Sequence, residues 1–374
     1  MSAPQSRTLL QTRGAERQFE APITGVQASR DGRTFAALTM DGELILISRD
    51  GLRASEDWQC LSVHDGAVSL AQGCGKDSFL SGGEDGRVVE TRADGTMTDR
   101  HEGRGWVDCL ASTPTHWACA SRKEVHLYAH GADEPLKVLE HPSALSGLAF
   151  DAKGKRLAAS HYNGVSMWFV QAKDANVRSL EWKGSHTGLC IHPGGEALVT
   201  SMQENELHGW RLSDGHNMRM SGYPRKIGSM SFTRKGRWLA TSGADAAVLW
   251  PFFGGGPMGK PPMELARLPG LFVTCVCAHP TDDILAIGFE DGTVLLAEVP
   301  NHADEAAAGE GRILPLCNGQ RSGGDDGGYN DGGYNDGGSN FGGQQAGPAN
   351  RGGNNGGMGG GNGWDSSAGH DQGL

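Results

Sequence analysis

A turn recurs along this chain about every 40 residues, and it limits the possible folds more than any other feature. It falls at Asp41, Asp85, Lys123, Asn163, Asn205, Asp245 and Asp291, at intervals of 44, 38, 40, 42, 40 and 46 residues. Each turn sits between two short apolar runs with strand chemistry. The stretch 227–250, IGSMSFTRKGRWLATSGADAAVLW, shows the unit most clearly: a strand around Met230 and Phe232, a turn at 233–236, a second strand at 238–242, a tight turn at 244–246, and a third strand ending on Trp250. Three short antiparallel strands cannot bury both faces of their own sheet, and such a sheet is marginal alone in water. The unit becomes stable only by stacking on its neighbours, and a period near 40 with strands in each copy is the signature of a propeller array.

Seven copies are visible. Their first strands share a face pattern, as in Val68/Leu70, Leu189/Ile191 and Met230/Phe232. Second strands open alike, with Phe35-Ala36-Ala37, Leu157-Ala158-Ala159, Leu239-Ala240-Thr241 and Leu285-Ala286-Ile287. Asp-Gly or Asn-Gly at 41–42, 85–86, 163–164 and 291–292 suits a two-residue hairpin, because these residues adopt positive φ at little cost. Candidate outer strands trail each copy at 58–61, 96–98, 136–139, 177–180, 217–220, 263–267 and 312–316. The expected fold is all-β: a seven-bladed propeller of four-stranded antiparallel blades over 20–317. An N-terminal segment, 1–19, is a possible closing strand. With seven outer strands already supplied that strand has no vacant partner, which leaves two designs: a closed seven-blade ring, the preferred one, and an eight-blade ring lacking its final unit.

The pattern resembles WD40 repeats, of a bacterial type with divergent copies. In that family a buried polar set joins a His before the first strand, a Ser or Thr on the second, the turn Asp and a Trp ending the third. The resemblance assigns His64, Ser81 and Asp85 in copy two, with Thr91 in place of Trp. It assigns His141 and Trp168 in copy four and Trp210 in copy five. In copy six it assigns Thr241, Asp245 and Trp250, with no His. No copy is complete and the Trp-Asp dipeptide is absent, so apolar packing is expected to carry more of the stability than this network.

The formal charge is −11, from 33 Lys and Arg against 44 Asp and Glu, which argues against general nucleic-acid binding. Eight Cys are scattered, mostly where neighbouring copies hold small or apolar residues, and read as reduced, buried thiols of a cytoplasmic protein. No stretch reaches the roughly 20 apolar residues of a membrane span, and the N-terminus has no signal-peptide core. Residues 318–374 are rich in Gly, Asn and Asp, with GGYND at 327–331 and again at 332–336, and read as a low-complexity, disordered tail.

Two stretches suggest chemistry and lose on inspection. The loop FFGGGPMGKPP at 252–262 has the glycine spacing of a phosphate loop up to Lys260. Pro261 and Pro262 follow, which removes N–H donors and blocks the helix that the motif requires. Cys275, Cys277 and His279 alternate along one strand, but they span about 13 Å, too far for a single ion. Core packing is the reading for the two cysteines. No metal, cofactor or catalytic set is assigned.

The loops that enter the first strands and the turns between second and third strands share one face of a propeller. On that face copies three to six carry Arg104, Trp106, Lys123, Tyr162, Trp182, Tyr223, Arg225 and Lys226. Copies one, two and seven carry Asp41, Glu43, Glu84, Asp85, Glu290 and Asp291. A basic, aromatic sector facing an acidic one predicts an acidic or extended peptide as partner, since Trp, Tyr and Arg dominate binding hot spots. The function expected is a non-enzymatic protein-interaction scaffold, by analogy with the family. Two alternatives stand beside it. One is a propeller hydrolase or lyase with its site in the channel. The other, which the resemblance suggests, is a regulatory partner of a metal-handling P-loop GTPase.

Overall fold

The computed structural model of the chain describes residues 8–173, 176–300 and 313–317, and the backbone of 365–367. The repeat period becomes antiparallel sheet throughout, arranged as a β-propeller. In copy one, strands Ile23–Ala28, Thr34–Thr39, Glu43–Ser48 and Gln59–Ser62 pair in sequence order. Copy two repeats this with Ala67–Gln72, Ser78–Gly83, Arg87–Arg92 and Met97–Glu102, and copy three with Cys109–Ser112, His116–Ser121, Glu124–Ala129 and Lys137–Glu140. Copy six runs from Met230–Phe232 to Met263–Leu265, and copy seven from Val273–Ala278 to Ile313–Cys317. Glycine is required at the hairpins: Gly42 has φ 97° and a Cβ there would stand 2.0 Å from the His64 carbonyl oxygen.

The period predicts seven separate blades, and here the structure differs. The hydrogen-bonded sheets number six: five of four strands and one of seven. The large sheet holds copies four and five. Its strand Arg156–Phe169 continues through the Asn163-Gly164 turn, and Val177–Ile191 serves first as the outer strand of copy four and then as the first strand of copy five. Backbone pairing therefore runs unbroken across what elsewhere is a junction between sheets. At the far edge Asp365–Ser367 adds a strand to Asn217–Ser221. The rest of the tail, 318–364 and 368–374, lies outside the described residues.

Residues 8–19 form no strand. Leu9–Arg13 is a short α-helix, because Thr8 and Gln11 make a capping box that satisfies the first N–H groups. The helix lies against the outer strand of copy seven, Ile313–Cys317. Arg17 then donates from Nη1 to the Trp58 carbonyl of copy one at 3.3 Å. The segment thus links the two ends of the array along its outer edge.

The core is divided among the junctions. Six apolar clusters each join one copy to the next, from Leu38, Leu46, Phe79 and Val89 between copies one and two to Trp238, Leu249, Leu285 and Ile287 between six and seven. Each fully buried Leu, Ile, Val or Phe contributes on the order of 1.5–3 kcal/mol. Hydroxyl groups on or just before the first strands add stitches across these junctions, as where Ser69 Oγ donates to the Val107 carbonyl at 2.7 Å and Ser229 Oγ to that of Val276 at 3.2 Å. Between copy seven and copy one no such cluster forms among the described residues. The first strands bounding that junction stay open: Val26 is 64% exposed, and Cys275 and Cys277 are exposed. This corrects the reading of those two cysteines as core residues, since the neighbour that would cover them is not packed there. All eight cysteines are free thiols.

Candidate partner-binding surface

The loops on the propeller's rim are held by the buried polar groups of each copy. In copy two His64 Nδ1 donates to Asp85 at 3.0 Å and its Nε2 pairs with Ser81 Oγ at 2.9 Å. Thr91 is fully buried at the tryptophan position, and its hydroxyl has no partner there. In copy five His186 meets Thr200 Oγ1 at 2.7 Å, and Trp210 lies beside it with ring centroids 5.6 Å apart. Burial is the main force holding the His186 imidazole below its ordinary pKa.

Copy six has no histidine in its sequence, and Tyr223 takes that role. Trp250 Nε1 donates to Tyr223 Oη at 2.6 Å, and Thr241 Oγ1 lies 2.6 Å from the same oxygen. Tyr223 is 7% exposed, so it leaves the set of surface residues assigned from sequence. The spacing carried the signal: Tyr223 precedes Thr241 by 18 residues, much as His64 precedes Ser81 by 17. Asp245 also departs from its assigned place. It accepts an ion pair from Arg267 at 3.4 Å, outside the Tyr223 cluster.

Copy four keeps its histidine and loses the histidine's partner. Ala159 pairs with Leu148 in the register that Ser81 holds with Leu70 and Thr200 with Leu189. His141 Nε2 is consequently buried without a hydrogen bond. His141 packs edge-on to Trp168, and its pKa is pushed down to about 4, first by burial and then by the neighbouring His161.

On the surface above these anchors, Arg104, Trp106, Lys123, Tyr162 and Lys226 are exposed, and Trp182 is half-buried. Trp106 stands on a pinned loop: Val107 beneath it is fully buried, and a Cβ on Gly105 would meet Arg122 and Ser121 at 2.8 Å. Tyr162 is 54% exposed, yet its backbone is fixed from both sides. Its N–H donates to Ser143 Oγ at 3.2 Å, and its carbonyl pairs with His161 Nδ1 at 2.8 Å. Trp182 stacks on His208 at 3.9 Å between centroids. Arg225 is exposed but engaged. It pairs with Glu290 at 2.7 Å and lies 3.5 Å over the Phe272 ring, tying copy six to copy seven.

Tyr162 and Trp182 line one groove, of about 1230 Å³, between copies three and four. Val138, Glu140, Val177 and Lys183 also border it. Val138 is 47% and Val177 50% exposed, and Leu136 and Phe169 are exposed close by in sequence. Exposed large apolar side chains so concentrated mark an interaction site more often than a neutral surface. Sequence reasoning found the two aromatics and missed the valines, because an outer strand's apolar residues look like core until the gap beside them is seen.

The loop 252–262 folds on itself. Lys260 Nζ donates to the carbonyls of Phe253, Gly254 and Gly256, so the ammonium closes its own loop. Among the described residues no group of three or more His, Cys, Asp and Glu is placed to hold a metal ion. No described helix is long and apolar enough to cross a membrane.

Residues 265–296 match the family model of the WD domain, G-beta repeat. The match runs from the last residue of the copy-six outer strand into the third strand of copy seven. Comparison with curated proteins finds no match to the chain.

Proposed function

We propose that this β-propeller, in which residues 265–296 match the WD domain, G-beta repeat model, is a non-enzymatic WD40-like scaffold that holds an extended segment of a protein partner on its rim. Propellers of this family commonly serve as interaction scaffolds. The array behind the rim is read as seven units, with the seven-stranded sheet contributing two. The observation that carries the reading is the groove between copies three and four, where Tyr162, Val138 and Val177 are exposed around a volume large enough for several side chains. Lys183 lines the groove beside Glu140 and Glu181, and the Lys123 carbonyl accepts the His141 N–H next to that lining. With Arg104 exposed on the same loop face, the partner proposed is an acidic peptide with an apolar or aromatic anchor. The cations speed encounter and the aromatics supply buried area.

The test is selection from a random peptide library on the full chain, followed by titration of a labelled selected peptide. The sequences should combine Asp or Glu with an aromatic or branched apolar residue. Tyr162→Ala should weaken binding by about 30-fold, equal to about 2 kcal/mol and the scale of a hot spot. Lys123→Glu should slow association and lessen its salt dependence. Tyr223→Phe, inside copy six, should leave the affinity unchanged at a temperature where the protein is folded. Binders indifferent to Tyr162 and Trp182 would refute the assignment.

A further inference from the structure

Copy seven turns two thiols outward on its first strand. Cys275 and Cys277 lie two residues apart in Val273–Ala278, so both point to one face, and both are exposed. Val273 and Val276 are buried in the cluster shared with copy six. Opposite the cysteines in the ladder stand Gly288 and Ala286, the smallest possible neighbours. A Cβ at Gly288 would lie 2.6 Å from Cys275 Sγ, so the sulfur fills the space a larger residue would take. The thiols belong to the junction where no apolar cluster joins copy seven to copy one among the described residues. Cys277 is held above its ordinary pKa, chiefly by partial burial and then by Cys275, as befits two thiols near enough to repel as thiolates.

We propose that Cys275 and Cys277 form a two-sulfur site for a soft monovalent cation of the Cu(I) type. The spacing decides between the chemistries open to two thiols. Same-face neighbours on a strand stand about 6.6 Å apart, with parallel Cα–Cβ bonds. A disulfide needs Cβ atoms about 3.8 Å apart and sulfurs about 2.05 Å apart, which the strand cannot reach without breaking its ladder. A sulfur–metal–sulfur bridge with bonds of about 2.3 Å needs sulfurs about 4.6 Å apart. Each Sγ then swings only about 1 Å toward the other, by side-chain rotation. Thiolates prefer soft ions such as Cu(I). A zinc ion would demand four ligands, and the nearest further donor in the pattern, His279, stands about 13 Å along the strand from Cys275, too far to share one ion with both thiols. Binding is an exchange without redox change: two thiols and one Cu(I) give one bis-thiolate complex and release two protons. Four of the other six cysteines compete poorly, since Cys109, Cys119 and Cys190 are pushed up to about 12 and Cys74 to about 11, chiefly by burial.

The full chain, reduced and under anaerobic conditions, is titrated with Cu(I) against a chromophoric Cu(I) chelator. One equivalent per chain should be withheld from the chelator. The Cys275→Ser/Cys277→Ser double variant should withhold none, while Cys60→Ser/Cys317→Ser should still withhold one. Circular dichroism and thermal midpoint should match the wild type for the first variant, because both thiols are exposed. A wild type that surrenders all its Cu(I), or a Cys275/Cys277 variant that retains it, overturns the proposal. So does Zn(II) bound at the same stoichiometry through the same pair, or a Cys275–Cys277 disulfide seen by mass after mild oxidation.

Discussion

Removing one oxygen atom from Tyr223 should destabilise the whole propeller. Tyr223 Oη accepts from Trp250 Nε1 and contacts Thr241 Oγ1, each at 2.6 Å, in a site that is fully buried at Trp250 and Thr241. Tyr223→Phe keeps the ring and its packing but withdraws the acceptor of the indole N–H and one of two partners of the threonine hydroxyl, which also donates to the Val248 carbonyl at 3.1 Å. Loss of a hydrogen-bond partner in a buried site costs about 1–3 kcal/mol. With two donors or acceptors affected, a loss of about 2 kcal/mol is expected. At about 2 °C per kcal/mol for a chain of this size, the thermal midpoint should fall by about 4 °C. Urea unfolding followed by tryptophan fluorescence should show a lower midpoint at an unchanged slope. Thr241→Val, which removes the hydroxyl at constant shape, completes a double-mutant cycle. The double variant should be less destabilised than the sum of the singles by about 1 kcal/mol, because both delete one shared interaction. A Tyr223→Phe protein within about 0.5 kcal/mol of wild type, or a strictly additive cycle, would refute the assignment of Tyr223 to the missing histidine's place.

Three other outcomes follow from the same geometry. Ala159→Ser should stabilise the protein by about 1 kcal/mol in urea unfolding, since it places a hydroxyl where the unpartnered Nε2 of His141 lacks one; a destabilised variant would mean the pocket has no room. His141 stays neutral in the fold down to about 4 but protonates near 6.5 when unfolded. Between those values the unfolded chain binds the extra proton, so stability should fall with pH by about 1.4 kcal/mol per unit from this group. His141→Asn should flatten the measured slope over that window by the same amount, and parallel slopes would count against it. Deleting 318–374 removes only the three-residue edge strand among the described elements, so the thermal midpoint should move by less than about 2 °C; a drop beyond 5 °C would show that the tail supports the ring.

The repeat was legible because its causes are local. Asp-Gly and Asn-Gly turns set hairpins by their φ preference, and alternating apolar residues set strands. These signals placed the outer strands too: the reading of 217–220 meets Asn217–Ser221, and 177–180 meets the start of Val177–Ile191. Thr8 and Gln11 were equally local, yet the capping box was masked by apolar residues that also suit a strand. On the rim, sequence identified side chains that solvent reaches, such as Trp106 and Tyr162, but could not separate them from Tyr223. Whether an aromatic on a loop faces water or plugs its own blade depends on what lies behind it, here the indole of Trp250 and the hydroxyl of Thr241.

The sequence by itself determined that this chain must stack sheets, because no copy can bury both of its faces. Which faces found a neighbour was decided only by the tertiary structure. Ala71 and Cys277 occupy the same strand position in copies two and seven, opposite Leu80 and Ala286, yet Ala71 is buried and Cys277 is exposed. Burial is a property of pairs of surfaces. Copies four and five join by continuous backbone pairing, six junctions close over apolar side chains, and the edges of copies seven and one leave Val26, Cys275 and Cys277 in contact with solvent. A period in a sequence counts the units that need partners, while contact between distant copies settles which of them are covered.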